Sequence, residues 1–356
     1  RLLRPSFQVG EINQRLNAVE ELHASTSFKD HLRKLLQGVQ DIERLLGRVT
    51  MEVANARDLL GLGNSLRQLP AISELLQRSK SALLKETIDL LEDVTDLLNL
   101  SIAEDPPVLL SEGGLIRQGF NQKLDDLREI ATSGKSFLAQ LEAKERERTG
   151  ISSLKVKFNR VFGYFLEITR KHLDSVPVDY VRKQTLVGCE RFVTPKLKEY
   201  EEQILTAEAQ IIALEKELFL QVRTQVGNES ARIRQVAQII AQVDTLAALA
   251  EAAQKYAYVR PHIDEGKDLE IRSGRHPLVE DHSSEPFVPN DLICNNNSDQ
   301  LLILTGPNMG GKSTYLRQNA LIVILAQMGS FVPARSAHIG LVDRIYTRVG
   351  ASDNLA

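Results

Sequence analysis

Apolar residues recur at helical spacing over most of this chain. Leu32, Leu35, Leu36, Val39, Ile42 and Leu46 make a three-to-four-residue stripe, and Leu16, Val19, Glu20 and His23 share a turn-spaced series ahead of it. Residues 82–99 repeat the pattern through Leu83, Leu84, Ile88, Leu91, Val94, Leu97 and Leu98. These stripes predict helices as far as Leu100, packed as a bundle core and punctuated by Pro70 and the pair Pro106-Pro107. Ser111-Glu112-Gly113-Gly114 reads as a loop. Residues 121–149 read as one helix of about 44 Å, with Leu124, Leu127, Ile130, Phe137, Leu138 and Leu141 inward. Gly134 is its weak point, costing about 1 kcal/mol relative to Ala.

The period changes at Ile151. Leu154-Lys155-Val156-Lys157-Phe158 alternates, as does part of 161–168, with Asn159-Arg160 as a hairpin turn between them. Residues 184–187 and 190–193 flank Gly188-Cys189 as a second hairpin, so 151–198 is a small β insert. Thr194-Pro195 then reads as the N-cap and first residue of another long helix. Its apolar positions, Tyr200, Ile204, Ala207, Ile211, Leu214, Leu218 and Val222, follow the 3.5-residue spacing of a coiled-coil seam. Beyond the insert, the 28 residues 199–226 of this helix give about 42 Å. Two arms of matching reach, one entering the insert and one leaving it, place the insert at the tip of an antiparallel pair. A further helix over 230–257 returns through Ile233, Val236, Ile239, Ile240, Val243, Leu246 and Leu249.

Beyond Tyr258-Val259-Arg260-Pro261 the pattern shifts to loops and short strands. Leu301-Leu302-Ile303-Leu304 reads as a buried strand, and residues 306–313 fit G-x-x-x-x-G-K-[ST] without a gap. That spacing is a phosphate cradle. Gly306, Gly310 and Gly311 allow backbone N–H groups to converge on an anion, Lys312 reaches the phosphates, and the Ser313 hydroxyl takes Mg²⁺. The competing reading, a glycine-rich β-turn-α connection without a ligand, does not need the apolar run ahead or the amphipathic run behind. Residues 313–327 form the following helix, with Leu316, Ala320, Val323 and Ile324 facing a sheet, and 344–349 supply a further strand of an α/β domain.

Composition supports long helices, since the chain of 356 residues has no Trp and 5% aromatics. Its net charge of −3 excludes a basic nucleic-acid binder overall. Residues 152–198, however, carry ten Lys and Arg against four Asp and Glu, a local excess of +6. This island makes Lys155, Lys157, Arg160, Arg170, Lys171, Lys183 and Arg191 candidates for backbone phosphate contact, some of them expected to be only solvated charges. Cys189 and Cys294 lack metal-ligand spacing and read as reduced thiols in a cytosolic protein. No signal peptide or apolar run of spanning length is read.

The stretch Gly306-Pro307-Asn308-Met309-Gly310-Gly311-Lys312-Ser313-Thr314-Tyr315-Leu316-Arg317-Gln318 resembles the ATP-binding loop of the MutS DNA mismatch repair family. Gly274-Arg275-His276-Pro277, Gly329-Ser330-Phe331-Val332-Pro333-Ala334, residues 344–356, and residues 158–168 with 180–186 are similar to that family as well. The resemblance implies a mixed α and α/β fold. A long-helix lever bundle (1–150 and 199–257) would carry a β-rich DNA clamp (151–198) at its tip, followed by part of a P-loop ATPase domain (258–356).

It further implies a homodimer that encircles mismatched double-stranded DNA, ATP with Mg²⁺ as cofactors, a downstream repair factor, a bacterial-type cytoplasmic and nucleoid-associated location, and no membrane. ATP would contact Gly306, Pro307, Asn308, Met309, Gly310, Gly311, Lys312, Ser313 and Thr314, with Phe287 and Val288 beside the adenine; ordinary apolar packing is the competing reading for those two. His276 reads as a structural histidine. The chain opens on Arg1, lacks the Phe-x-Glu mismatch-reading motif and stops within Ser352 to Ala356, so it reads as a fragment without the carboxylates for ATP hydrolysis. The alternatives are a relative acting on branched or recombining DNA and a non-catalytic coiled-coil ATPase arm.

Overall fold

The computed structural model describes residues 5–159, 163–282, 286–307 and 310–347, without the side chains of 134–137 and 139. It divides into two units: Arg1–Glu43, Asn64–Leu91 and Ala231–Ala356 form one, Arg44–Gly63 and Glu92–Ser230 the other. The first helices are α1 (Val9–Ala24), α2 (Thr26–Leu36), α3 (Ile42–Thr50), α4 (Ala56–Leu66), α5 (Leu69–Gln77) and α6 (Glu92–Ser101). On α1 the buried line is Ile12, Leu16, Val19 and Leu22, while Glu20 of the expected series is exposed. Pro70 does not break a helix; it sits in the first turn of α5, where its missing N–H costs nothing.

The helix expected over 82–99 forms only from Glu92 onward. Ahead of it, Glu21 ties down the chain just before residue 82, and within the stretch a side-chain acceptor takes a backbone donor that a helix would use. The Glu21 carboxylate accepts from the N–H groups of Lys80 (2.7 Å) and Ser81 (2.8 Å), and the Asp89 carboxylate accepts from Leu91 N–H at 3.0 Å. Leu91 adopts a left-handed φ of 50°. The stripe nonetheless marks burial, since Leu84, Ile88 and Leu91 are all core residues.

In the second unit, α7 (Gln122–Thr149) opens where the Asn121 side chain accepts from Leu124 N–H at 3.1 Å, and closes at Gly150, whose φ of 69° ends the helix. Next come β1 (Lys155–Asn159), β2 (Gly163–Thr169), a 3₁₀ turn at Arg170–Ser175, β3 (Val181–Thr185) and β4 (Cys189–Val193). They form an antiparallel sheet in the order β1-β2-β4-β3. Asn159 is a strand residue paired with Gly163 and not the turn residue expected, and Arg160 lies outside the described residues. The second hairpin differs from expectation too, with β3 starting at Val181 and Cys189 inside β4.

The next helix, α8 (Pro195–Asn228), is capped by the Thr194 hydroxyl, which accepts from Leu197 N–H at 3.2 Å. It has 34 residues against 28 in α7, so the matching lengths expected are not found. Arg128 of α7 meets Glu215 of α8, whereas Leu138 and Leu141 of α7 cluster with Leu197 and Ile204 of α8, so the two helices run antiparallel. Leu154, Leu166, Ile168, Tyr180 and Phe192 complete that cluster and seat one face of the sheet on the helix pair. Ile130 is 49% exposed, because Leu127 and Ala131 hold the inward line. The side chain of Phe137 lies outside the description.

Helix α9 (Ser230–Lys255) is long and apolar enough to cross a membrane by composition, contrary to the sequence reading, but half of its most apolar stretch is buried inside the protein. A second sheet follows: β5 (His262–Asp264), β6 (Leu269–Gly274), β7 (Asn290–Cys294) and β8 (Ser336–Gly340), in the order β5-β8-β6-β7, with only β5 and β8 parallel. Helix α10 (Pro277–His282) follows β6, and α11 (Lys312–Gln327) precedes β8.

Two expected strands are missing here. Residues 301–304 join no sheet among the described residues, and Leu301 and Ile303 are 81% and 80% exposed. Residues 344–347 are irregular, and 348–349 lie outside the described residues. An apolar run becomes a buried strand only where neighbouring strands satisfy its backbone and cover both faces, and no described segment does this. Helix α11 agrees in part with the expected face: Val323 is buried together with Ile322 and Ala326, Ala320 and Ile324 are half-buried, and Leu316 is 60% exposed.

Glu215, 1% exposed, accepts from Arg128 at 2.6 Å and from Leu115 N–H at 3.0 Å. Glu215→Ala strands both donors, and the urea transition is expected to lose about 2–3 kcal/mol; a loss near zero would show that Glu215 does not hold α7 to α8.

Candidate functional site

The described residues of the G-x-x-x-x-G-K-[ST] motif gather at the start of α11. Gly311 is the N-cap with φ 78°, a left-handed conformation that a side chain at this position would oppose, and its carbonyl accepts from Tyr315 N–H at 2.9 Å. Tyr315 also donates its hydroxyl to the Asp291 carbonyl at 2.8 Å, which ties the first turn of α11 to β7. Between them lies a cleft of about 510 Å³ lined by Phe287, Val288, Gly310, Gly311, Lys312 and Thr314. The same cleft takes in Asn290 and Tyr315, which belong to the stretches the family resemblance puts at the nucleotide, and Asp291, Leu304 and Thr305, which sequence reasoning did not assign to it.

Lys312 donates to the carbonyls of Gly306 at 2.7 Å and Pro307 at 2.6 Å, so the loop folds back around its own ammonium. Asn308 and Met309 lie outside the described residues. Ser313 lines a separate cleft of about 860 Å³ that also touches His276, Arg317 and Asn319. Cations and free N–H groups at a helix N-terminus favour an anion here. The Asp291 carboxylate is already engaged: Ser273 N–H first, then Arg272, hold it below the usual carboxylate range. A single hydroxyl from Ser313 fits Mg²⁺ only as a companion of phosphate oxygens and water.

His276 is 1% exposed. Its Nδ1 accepts from Val279 N–H at 3.3 Å, which places the proton on Nε2, an atom without a hydrogen-bond partner among the described residues. Burial, and next the charge of Arg317, push the imidazole below its usual range, so it is neutral near pH 7.

The second candidate surface is the sheet β1–β4. Lys155, Lys157, Arg170, Lys171 and Lys183 are exposed, and Arg160 lies outside the described residues. Lys157 pairs with Glu167 at 2.6 Å, and Arg170 donates to the Leu186 carbonyl at 3.1 Å. Arg191 differs from the others. Its guanidinium lies 4.3 Å from the ring centroid of Phe165, which is 2% exposed, and it donates to Gln184 at 2.8 Å. Arg182, exposed and paired with Glu190 at 2.8 Å, was not among the sequence candidates. Register decides these roles, because Glu167 and Arg191 face each other across β2 and β4.

Comparison with known proteins gives one family. The model of MutS domain III matches residues 1–250, and that of MutS domain V matches residues 302–356. The chain is 50% identical over 362 residues to the DNA mismatch repair protein MutS of Solibacter usitatus, covering 100% of this chain and 42% of the relative. It is 51% identical over 359 residues to the MutS of Symbiobacterium thermophilum, covering 100% and 41%, and 51% identical over 361 residues to that of Myxococcus xanthus, covering 100% and 40%. The chain therefore spans about two fifths of the length of these curated relatives.

Arg191→Ala uncovers Phe165 and leaves Gln184 unpaired, and is expected to cost the sheet about 1–2 kcal/mol in urea unfolding. Lys155→Ala is expected to leave the same transition unchanged; equal effects of the two would contradict the separate roles assigned here.

Proposed function

Because this chain belongs to the MutS family of DNA mismatch repair proteins, we propose that it is the segment that binds ATP through residues 306–314 and grips double-stranded DNA through the sheet β1–β4. The observation that carries this reading is the convergence of Phe287 and Val288 with Gly310, Gly311, Lys312 and Thr314 on one cleft at the N-terminus of α11. Phosphates would lie against the helix N-terminus and exchange with the carbonyls now held by Lys312, while Phe287 and Val288 offer an apolar surface for a base. Mg²⁺ would accompany the nucleotide at Ser313.

On the sheet, Lys155, Lys171 and Lys183 are the phosphate contacts, with Arg170 and Lys157 able to join by exchanging their present partners. In this proposal α7 and α8 are the lever and the sheet is the clamp. ATP binding is the switch in a homodimer that closes on mismatched DNA and engages a downstream repair factor. Hydrolysis is a property of the longer family proteins, carried out in the cytoplasm.

Lys312→Ala is expected to weaken ATP binding by about 30- to 100-fold, the effect of removing a charged donor to phosphate. The helical circular dichroism of the chain should not change. Retained ATP affinity would remove the nucleotide reading. The DNA reading is checked separately: in Lys155→Ala/Lys183→Ala, the slope of log affinity against log salt should fall by roughly two. An unchanged slope would exclude the sheet as the DNA grip, and tighter binding to junction than to mismatched duplex would favour a relative acting on branched DNA.

A further inference from the structure

At the edge of the second sheet, the parallel register pairs His262 of β5 with His338 of β8. Residues two apart on a strand point the same way, so Asp264 joins the two imidazoles on one face, while Ile263 and Ile339 are buried on the other at 3% and 0% exposure. One ligand atom from each of the three lies within 4.8 Å of the others. Asp264 Oδ2 stands 2.7 Å from His338 Nε2 and 3.7 Å from His262 Nε2, and the two rings are 4.9 Å apart between centroids.

The carboxylate is held for this arrangement. Its other oxygen, Oδ1, accepts from Gly266 N–H at 2.8 Å, and the Asp264 carbonyl accepts from Leu341 N–H at 3.1 Å. Backbone donors thus fix Asp264 from behind and leave Oδ2 directed at both histidines, the role that outer hydrogen bonds play for metal ligands.

We propose that His262, Asp264 and His338 form a binding site for a divalent transition-metal ion of the zinc class. Two imidazoles and one carboxylate suit zinc rather than Mg²⁺, which prefers an all-oxygen shell. Bond lengths of about 2.0–2.2 Å in tetrahedral geometry separate ligand atoms by about 3.3 Å, so the side chains reach the ion by shifts of about an ångström. The ion replaces the hydrogen bond between His338 and Asp264, and solvent takes the fourth position. Its effect is to fasten the three-residue edge strand β5 to β8. This site is independent of the nucleotide and DNA readings.

The test is zinc titration of the metal-stripped full chain by calorimetry, with excess Mg²⁺ present, alongside His262→Gln and Asp264→Asn. One zinc should bind at micromolar or better affinity and raise the thermal midpoint, and each variant should lose at least tenfold in affinity together with the midpoint shift. His262 is well exposed, so His262→Gln is expected to keep the metal-free midpoint of the parent and its ATP binding. Zinc binding of unchanged affinity in both variants would overturn the proposal, as would no zinc binding by the parent. In the latter case the cluster is a hydrogen-bonded ion pair only.

Discussion

Gln327 closes the last turn of α11 with its side chain 3% exposed, and its amide is bonded to chain far away in sequence. Its Nε2 donates to the carbonyls of Ser6 and Val342, each at 3.1 Å, and its Oε1 accepts from Val342 N–H at 3.1 Å. Its backbone carbonyl accepts from Ser6 N–H at 3.0 Å, and one residue on, the Met328 carbonyl accepts from the buried Arg15 at 3.3 Å. A buried amide with a lost partner is costly, so this knot fixes the C-terminal end of α11 against the start of the chain and against the segment after β8. The N-terminal end of the same helix presents Gly311, Lys312 and Thr314 to the cleft. Anchoring one end of a rigid sixteen-residue rod determines where the other end can point.

Element ends were legible because their signals are local. Thr194 caps α8 with its side-chain oxygen and Pro195 occupies the first turn, as their positions in the sequence indicate, and α7 ends at Thr149 as its pattern does. Where the outcome depends on distant partners, the sequence misleads. Residues 82–91 carry a helical stripe, yet Arg232, more than a hundred residues later, holds the Asp89 carboxylate at 2.8 Å, and that carboxylate takes the Leu91 N–H a helix would use. Residues 301–304 have strand composition, but a strand needs a neighbour, and composition cannot supply one.

The candidate sites divide along the same line. The glycines and Lys312 were legible because the motif is contiguous, and their approach to Phe287 and Val288 came only from the family resemblance, since about twenty residues intervene. Placing Ser313 in the other cleft is a matter of helix phase, one residue being a turn of about 100°. In the basic island the charges were legible and their partners were not. Arg191 covers Phe165 and Lys157 meets Glu167 because β2 lies between β1 and β4, an order that follows from sheet topology and not from spacing.

Only Thr194 separates the end of β4 at Val193 from the start of α8 at Pro195, and that residue is 6% exposed with its hydroxyl bonded into the helix. On the other side, residues 150–154 lie between α7 and β1, beginning with a left-handed Gly150. Within that segment Ile151 and Leu154 are fully buried, Arg146 of α7 donates to the Leu154 carbonyl at 2.6 Å, and just beyond it Glu142 of α7 accepts from Val156 N–H at 2.7 Å, so the sheet is welded to both helices. A twist of either helix about its axis therefore turns the sheet with almost no slack.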